Sequence, residues 1–174
     1  MAIHEYVVLV DENDQPIGTM EKIEAHLKPN LHRAFSIFIF NEKKELLLQQ
    51  RAFSKYHSGG LWTNTCCSHP KPGELILTAA HRRLQEEMGF DTELTKAFDF
   101  IYQASFSNGL IEYEFDHVFI GNYNGEIKLN PFEVSSYLYK SLQEIKNEMA
   151  IHPAIYTEWF KIALPKLEDY LSKK

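Results

Sequence analysis

The chain has few cysteines and no long apolar run, and each absence excludes a class of protein. Only two of its 174 residues are cysteines, the adjacent Cys66 and Cys67. Neighbouring residues rarely have disulfide geometry, so the sequence predicts free thiols in a reducing compartment. No apolar stretch reaches the ~20 residues needed to cross a bilayer, and the N-terminus lacks the features of a signal peptide. We therefore expect a cytoplasmic protein with no membrane partner.

Positive charge is also scarce, since 18 lysine and arginine residues stand against 24 aspartate and glutamate residues, a formal net charge of −6. A general nucleic-acid-binding protein carries a basic surface, so no nucleic-acid partner is expected. A few converging lysines and arginines can still form a local site for a small anionic substrate. The length predicts one domain over 1–174, and we expect a monomer or a weak homodimer.

Apolar and β-branched segments separated by polar turns predict six strands. The predicted strands are residues 6–10, 33–40, 46–48, 97–105, 112–121 and 123–129. Polar turns are predicted at 11–16 and at 41–44, the second of which would close a hairpin. Three glycines and two prolines indicate an irregular loop over 56–73. The order of elements predicts an α/β (α+β) sandwich, in which helices flank a mixed sheet.

Three helices complete the prediction. From Glu74 to Met88, apolar residues recur at spacings of three and four, and Gly89 is placed to end the helix. The apolar stripe consists of Leu77, Ala80, Leu84 and Met88. The other two helices are predicted over 141–149 and 154–171, with a kink at Pro165.

Residues that can bind metal occur in three short segments of the chain. His26 and His32 precede the first core strand, Cys67 and His69 alternate along an extended segment, and Glu112 alternates with Glu114. Alternating residues of a strand point to one face, and two carboxylates there repel each other unless the face is solvated or a cation lies between them. If the segments converge, three imidazoles and two carboxylates form a mixed nitrogen and oxygen set that suits Mg²⁺, Mn²⁺ or Zn²⁺.

Each of these features also has a structural interpretation. The glutamates can lie on the solvated side of an edge strand, and free cysteines are most often small buried apolar groups. A Cys-Cys-x-His zinc knuckle would need a second cysteine pair, which the sequence lacks. The remaining histidines are interpreted as surface or hydrogen-bonded residues; they are His4, His57, His81, His117 and His152.

The predicted helix carries a charged frame, Glu74-x7-Arg82-Arg83-Leu84-Gln85-Glu86-Glu87-Met88-Gly89-Phe90. Arginine and glutamate four residues apart can simply form surface ion pairs, worth about 0.2–0.5 kcal/mol each. The functional interpretation is a Nudix box, a loop and helix that direct glutamates toward Mg²⁺ bound to a diphosphate.

Together these segments resemble the type 1 isopentenyl-diphosphate Δ-isomerases, which are Nudix-like enzymes. The closest likeness is in Gly60-Leu61-Trp62-Thr63-Asn64-Thr65-Cys66-Cys67-Ser68-His69-Pro70. Flanking segments agree in order and spacing: Gly18-Thr19-Met20-Glu21-Lys22, His26, Leu31-His32-Arg33-Ala34-Phe35-Ser36 and Arg51-Ala52-Phe53-Ser54-Lys55. The likeness runs from about residue 6 to 120 and is weaker afterwards. It implies a Nudix-like sandwich and the isomerisation of isopentenyl diphosphate to dimethylallyl diphosphate for isoprenoid biosynthesis.

The resemblance also implies residue roles. The metal ligands would be His26, His32, His69, Glu112 and Glu114. Cys67 and Glu114 would be the two proton-transfer groups on opposite sides of the carbon chain, with Tyr102 supporting Glu114. Glu87 would hold a second Mg²⁺ that arrives with the substrate. The residues implied to face the substrate are Lys22, Arg51, Lys55, His69 and Arg83.

Trp159 is expected to stabilise a tertiary carbocation-like state through its ring. It lies in Tyr156-Thr157-Glu158-Trp159-Phe160, where Glu158 replaces the proline usual in the family. Ser68 replaces the glycine that opens the Nudix frame, and Arg83 replaces a glutamate that binds metal in Nudix hydrolases. The alternatives are a Nudix pyrophosphohydrolase, which Arg83 disfavours, and a catalytically inactive Nudix-like binding domain.

Overall fold

The structure, a computed structural model, describes residues 5–174, so the prediction for His4 lies outside the described residues. Its strands are β1 (Tyr6–Val10), β2 (Pro16–Glu21), β3 (His32–Phe40), β4 (Leu46–Arg51), β5 (Trp62–Thr63), β6 (Cys66–Ser68), β7 (Leu94–Ser105), β8 (Ile111–Asn122) and β9 (Val134–Lys140). Its α-helices are α1 (Lys22–Leu27), α2 (Ile76–Met88), α3 (Leu142–Ile151) and α4 (Glu158–Ser172). A single 3₁₀ turn at Pro153–Ile155 precedes α4.

Strand β3 is the centre of the mixed sheet. It pairs in parallel with β8 along its whole length, and β8 pairs antiparallel with β7. On its other edge β3 pairs antiparallel with β6, while β1 and β4 contact its two ends. Strand β3 is long, apolar and buried on both faces, as expected for the middle of a sheet that is covered on both sides.

Helices cover both faces of the sheet and divide the core in two. On one face, Ile37 and Ile39 of β3 pack with Leu84 and Met88 of α2. On the other face, Phe38 packs with side chains of α3 and α4, among them Ile145, Trp159, Phe160 and Leu164. This arrangement confirms the predicted α/β sandwich of a mixed sheet with flanking helices.

The strand predicted over 123–129 is wrong, because this segment caps α2 instead. The backbone N–H of Lys128 donates to the carbonyl of Met88 at 3.1 Å, and that of Asn130 donates to the carbonyl of Glu87 at 3.0 Å. The last carbonyls of a helix have no partner within it, so an extended segment can satisfy them. Gly89 ends α2 as predicted, in the left-handed conformation with φ 73°.

We predict that Gly89→Ala destabilises the fold, because the position requires both a positive φ and close backbone contact. An added Cβ would lie 2.2 Å from the carbonyl oxygen of Lys128. We expect a loss of about 2–4 kcal/mol in the free energy of unfolding, measured by urea denaturation. Gly109→Ala is the matched control, because Gly109 has φ 83° but open space around the Cβ. Equal losses in the two variants would contradict the contact with Lys128.

Several elements differ from the sequence-based expectation. Strands β2 and β9 and helix α1 were not predicted, and the supposed loop over 56–73 contains β5 and β6. Helix α2 begins at Ile76 rather than Glu74. Leu77 of the predicted apolar stripe is 41% exposed, whereas Ile76 is partly buried against the core. Helix α4 begins at Glu158 rather than at residue 154, and it includes Pro165, where the kink stays a prediction. Within residues 5–174 no helix is both long and apolar enough to cross a bilayer.

Candidate active site

The alternation of side chains along three adjacent strands builds the site. Strand register places Ser36 opposite Cys67 on one side of β3, and His32 opposite Glu114 on the other. These side chains all lie on the sheet face that carries α4. Cys66, one residue before Cys67, points to the opposite face and is fully buried against α2. The two thiols therefore have different surroundings although they are adjacent in sequence.

A single pocket collects most of the residues that the sequence predicted. It is lined by Lys22, Arg51, Lys55, Cys67, His69, Arg83, Glu87, Tyr102, Glu112, Glu114 and Trp159, together with Ser36, Tyr56, His57 and Ser68. His26 and His32 are fully buried beside it. The chain thus brings residues from five strands, three helices and two connecting loops to one place.

The buried histidines have the arrangement of metal ligands. The Nδ1 atoms of His26 and His32 lie 2.6 Å and 2.9 Å from the backbone carbonyl oxygens of Lys22 and Asn30. A carbonyl only accepts, so each Nδ1 carries a proton, and the neutral form of each ring has its free lone pair on Nε2. Both Nε2 atoms are buried and have no hydrogen-bond partner within the described chain. Such atoms are costly unless a bound group satisfies them.

Residues 5–174 contain two overlapping groups of side chains that could hold a metal ion. One consists of His26, His32, His69 and Glu114, and the other of His26, His57 and Glu112. Within each group the candidate ligand atoms all lie within 4.8 Å of one another. The five predicted ligands are therefore close together, although Glu112 falls in the second group, and the donor set fits a divalent cation.

The two glutamates share one tyrosine but differ in their surroundings. The Tyr102 hydroxyl lies 2.9 Å from Glu112 Oε2 and 2.7 Å from Glu114 Oε2. Burial and the neighbouring Glu114 raise the pKa of Glu112 well above its usual range. For Glu114, burial is outweighed by contacts with His32 and His69, which lower its pKa. Burial also lowers the pKa of His69 to about 4, so at neutral pH its ring is uncharged.

Cys67 is held by a chain of buried polar groups. Its Sγ lies 3.0 Å from Asn64 Oδ1 and 3.5 Å from Ser36 Oγ. The Ser36 hydroxyl donates to Asp116 Oδ2 at 2.7 Å. Asn64 is oriented because its amide donates to the carbonyls of Ile37 and Cys66. Burial raises the pKa of the Cys67 thiol, with the charge of Asp116 adding to the effect, so the group is a thiol at neutral pH.

The mouth of the pocket is basic. Lys22 pairs with Glu5 at 2.7 Å, and Lys55 pairs with Glu133. The Nε atom of Arg51 is buried and has no hydrogen-bond partner within residues 5–174. Converging cations with unused donors form a favourable site for an anionic substrate, even on a protein of negative net charge.

The charged frame of α2 lies at the same mouth. Arg82 makes a two-pronged contact with Glu74, at 2.7 Å and 2.8 Å, which ties the preceding loop to the helix. Arg83 donates to Glu87 Oε1 at 2.6 Å, and Gln49 donates to Glu87 Oε2 at 2.8 Å. Glu87 is only 5% exposed, so this pair is not an ordinary surface ion pair. The frame instead directs a buried carboxylate toward the pocket.

Trp159 forms an aromatic wall of the pocket and is 4% exposed. The guanidinium carbon of Arg51 lies 5.0 Å from the centre of its ring, a cation–π distance. Its indole N–H has no hydrogen-bond partner within the described residues.

Sequence reasoning missed four residues around the site. His57 was interpreted as an ordinary histidine, yet it is 6% exposed and lines the pocket. Asp116 continues the alternation of Glu112 and Glu114, and that periodicity could have identified it. Ser36 and Asn64 carry no signal of their own, because their role comes from contacts with Cys67 across the sheet.

Comparison with known proteins decides the family. The NUDIX domain family matches residues 30–160. The isopentenyl-diphosphate Delta-isomerase of Pectobacterium atrosepticum is 56% identical, over 94% of this chain and 92% of that protein. The isopentenyl-diphosphate Delta-isomerase 2 of Photorhabdus laumondii is 55% identical, over 90% and 89%. The chain belongs to the isopentenyl-diphosphate Delta-isomerase family.

Solved structures agree with a Nudix fold for this isomerase family member. A Deinococcus radiodurans protein superimposes with a TM-score of 0.77 over 93% of this chain and 98% of that one, at 17% identity. The MutT protein of Methanosarcina mazei superimposes with a TM-score of 0.67, over 83% and 96%, at 21% identity. At these identities the likeness concerns the fold alone. The family assignment rests on the isomerase relatives.

Proposed function

We propose that this chain acts as one catalytic domain that interconverts isopentenyl diphosphate and dimethylallyl diphosphate, with a divalent metal ion. One observation carries the proposal: a partly buried thiol and a carboxylate among imidazoles line the same pocket. Cys67 is on β6 and Glu114 is on β8, and these strands flank β3 on opposite sides. An allylic isomerisation needs two proton-transfer groups that reach the carbon chain from different directions.

The chemistry explains why both groups are required. Adding a proton to the terminal carbon of isopentenyl diphosphate breaks its double bond and gives a tertiary carbocation-like state. Removing a proton from the CH2 group that adjoins the cationic carbon on the diphosphate side forms the new double bond, so one proton enters and one leaves. Cys67 and Glu114 exchange these protons, and because the reaction is reversible each group both donates and accepts.

The cation must be stabilised without being captured. The Trp159 ring offers its electron-rich face, which attracts a cation but forms no covalent bond with it. The site is also built from buried side chains, and exclusion of water prevents hydration of the intermediate. When bound, the metal ion holds Glu114 in place and tunes its acidity. The Tyr102 hydroxyl orients the same carboxylate from its other oxygen.

The basic mouth binds the diphosphate in this proposal. The residues that contribute are Lys22, Arg51, Lys55 and Arg83. Arg83 supports the isomerase over a Nudix pyrophosphohydrolase, since an arginine pairs with phosphate oxygens but cannot bind the metal that activates water. Glu87 is the carboxylate we assign to a Mg²⁺ ion that enters with the substrate.

The activity is tested by incubating the protein with isopentenyl diphosphate and Mg²⁺ or Mn²⁺, then separating the products and measuring free phosphate. We expect dimethylallyl diphosphate with no release of phosphate or diphosphate. Phosphate release without isomerisation would instead identify a hydrolase. An unchanged substrate that still binds would identify an inactive binding domain.

We predict that Glu87→Gln raises the KM for isopentenyl diphosphate but leaves a metal ion bound in the histidine-rich site. Its carboxylate faces the diphosphate region through contacts with Arg83 and Gln49 rather than with the histidines. The KM for isopentenyl diphosphate at limiting Mg²⁺ should rise on the order of tenfold. Glu86→Gln is the control, because Glu86 also contacts Arg83 but is not buried. Metal analysis that finds the histidine site of Glu87→Gln empty would contradict the separation of the two metals.

A further inference from the structure

His57 has the surroundings of a metal ligand, although it lies in the loop after β4. Its ring stacks on Phe106 with a centroid separation of 4.6 Å and meets the edge of Trp159 at 5.7 Å. These contacts fix the plane of the imidazole. Its Nε2 then lies 3.5 Å from Glu112 Oε1, inside the pocket.

Like His26 and His32, His57 contacts a neighbouring group through Nδ1, although this group is a hydroxyl, which can donate or accept, rather than a backbone carbonyl. Its Nδ1 lies 3.2 Å from Ser58 Oγ, which leaves Nε2 directed at a carboxylate. A ligating histidine usually bonds a neighbouring group through one nitrogen, and this contact orients the other toward the metal. Three histidines of the site therefore offer Nε2 to the same space.

We propose that His57 is a further ligand of the metal ion in this site, alongside Glu112 and His26. The ligand atoms of these three residues lie within 4.8 Å of one another. This inference rests on the proposed function only in assuming that the site binds a divalent ion.

The two metal-binding groups are parts of one site, because His26 belongs to both. The Nδ1 of His26 donates to the Lys22 carbonyl, so only Nε2 is available to a metal ion. Because Nε2 has a single lone pair, it can bind one ion and not two. Tyr102 also links the two groups, since its hydroxyl contacts Glu112 and Glu114 together. We therefore expect a single ion per chain in this site rather than two.

The extra imidazole has a consequence for metal selectivity. One ion held by both groups would have His26, His32, His57, His69, Glu112 and Glu114 as its candidate ligands. Four nitrogen donors favour Mn²⁺, Zn²⁺ or another transition ion over Mg²⁺, which prefers oxygen. Magnesium is accordingly expected with the diphosphate and a transition ion with the histidines.

Crystals of the protein soaked in Mn²⁺ and measured for anomalous scattering test this directly. We expect one ion in the site, with His57 Nε2 at a ligand distance of about 2.0–2.3 Å. An ion bound by the other residues, with His57 Nε2 more than about 3 Å away and hydrogen-bonded to Glu112, would overturn the proposal. Two ions in the site, neither of them within about 3 Å of His57 Nε2, would overturn it as well.

A titration of Mn²⁺ against a competing chelator gives a second measurement that needs no turnover. His57→Ala should lower the affinity at least about tenfold. His81→Ala is the matched control, since His81 pairs with Asp91 away from the pocket, and its affinity should equal that of the natural chain. Equal affinities in all three proteins would contradict the role of His57. Because only metal binding is measured, this result is independent of whether the isomerase activity is present.

Discussion

Replacing Cys67 by alanine is expected to lower turnover of isopentenyl diphosphate by about 10²–10⁴-fold, the range in which a proton-transfer group contributes. The thiol is one of two proton-transfer groups in the proposed reaction, and no other thiol reaches the pocket from the described residues. The metal site should remain intact, since Cys67 belongs to neither metal-binding group. Steady-state kinetics together with metal analysis of the purified variant measure both effects.

Cys66→Ala is the matched control for this substitution. Cys66 is fully buried against α2 on the opposite face of the sheet, so its loss costs packing but touches no substrate. Turnover should stay within a few-fold of the natural chain. Comparable losses in the two variants would mean that the thiols have been assigned the wrong way round, or that neither is catalytic.

The second large effect is expected for Glu114→Gln. This change removes the other proton-transfer group and also weakens the metal site, because Glu114 contacts His69 at 2.9 Å and His32 at 3.5 Å. An amide neither accepts nor donates the proton as a carboxyl group does, so a loss in turnover of about 10³-fold or more is expected. Added metal should not restore activity.

Glu112→Gln provides the comparison. Glu112 shares Tyr102 with Glu114 but has no assigned proton-transfer role. Its substitution should weaken metal binding, while saturating Mn²⁺ restores most of the turnover. If saturating Mn²⁺ also restored the turnover of Glu114→Gln, Glu114 would be only a metal ligand. The second proton-transfer group would then be a different residue.

The parts of the fold with strong periodic signals could be predicted from the sequence. Strands β1, β3 and β8 are apolar or alternating, and α2 has an apolar stripe followed by a glycine. Strands β2 and β9 are more polar, and they exist because β1 and β4 offer them a pairing edge. The segment 123–129 has a strand-like composition, but its backbone is used to cap α2. In β2, β9 and the segment 123–129, hydrogen bonds to other parts of the chain determined the structure, rather than the local propensity to form a strand.

The candidate site was more predictable than the fold because its residues have unusual chemistry. Alternating Glu112 and Glu114 need a cation unless their face of the strand is solvated, and that requirement is visible without a structure. His57 gave no comparable signal, since only stacking on Phe106 and the approach to Glu112 reveal its place. Ser36 likewise matters only through the register of β3 with β6, whereas Asp116 could have been found from its alternation with Glu112 and Glu114.

The most direct test of the proposed function is to incubate the protein with isopentenyl diphosphate and Mn²⁺ in D₂O and follow the product by NMR. A proton-transfer mechanism predicts dimethylallyl diphosphate with deuterium in the methyl group formed from the terminal carbon. In Cys67→Ala, both the product and the deuterium should be almost absent. Product that contains no deuterium would contradict proton exchange with solvent-derived groups, and free diphosphate in place of the isomer would contradict the isomerase itself.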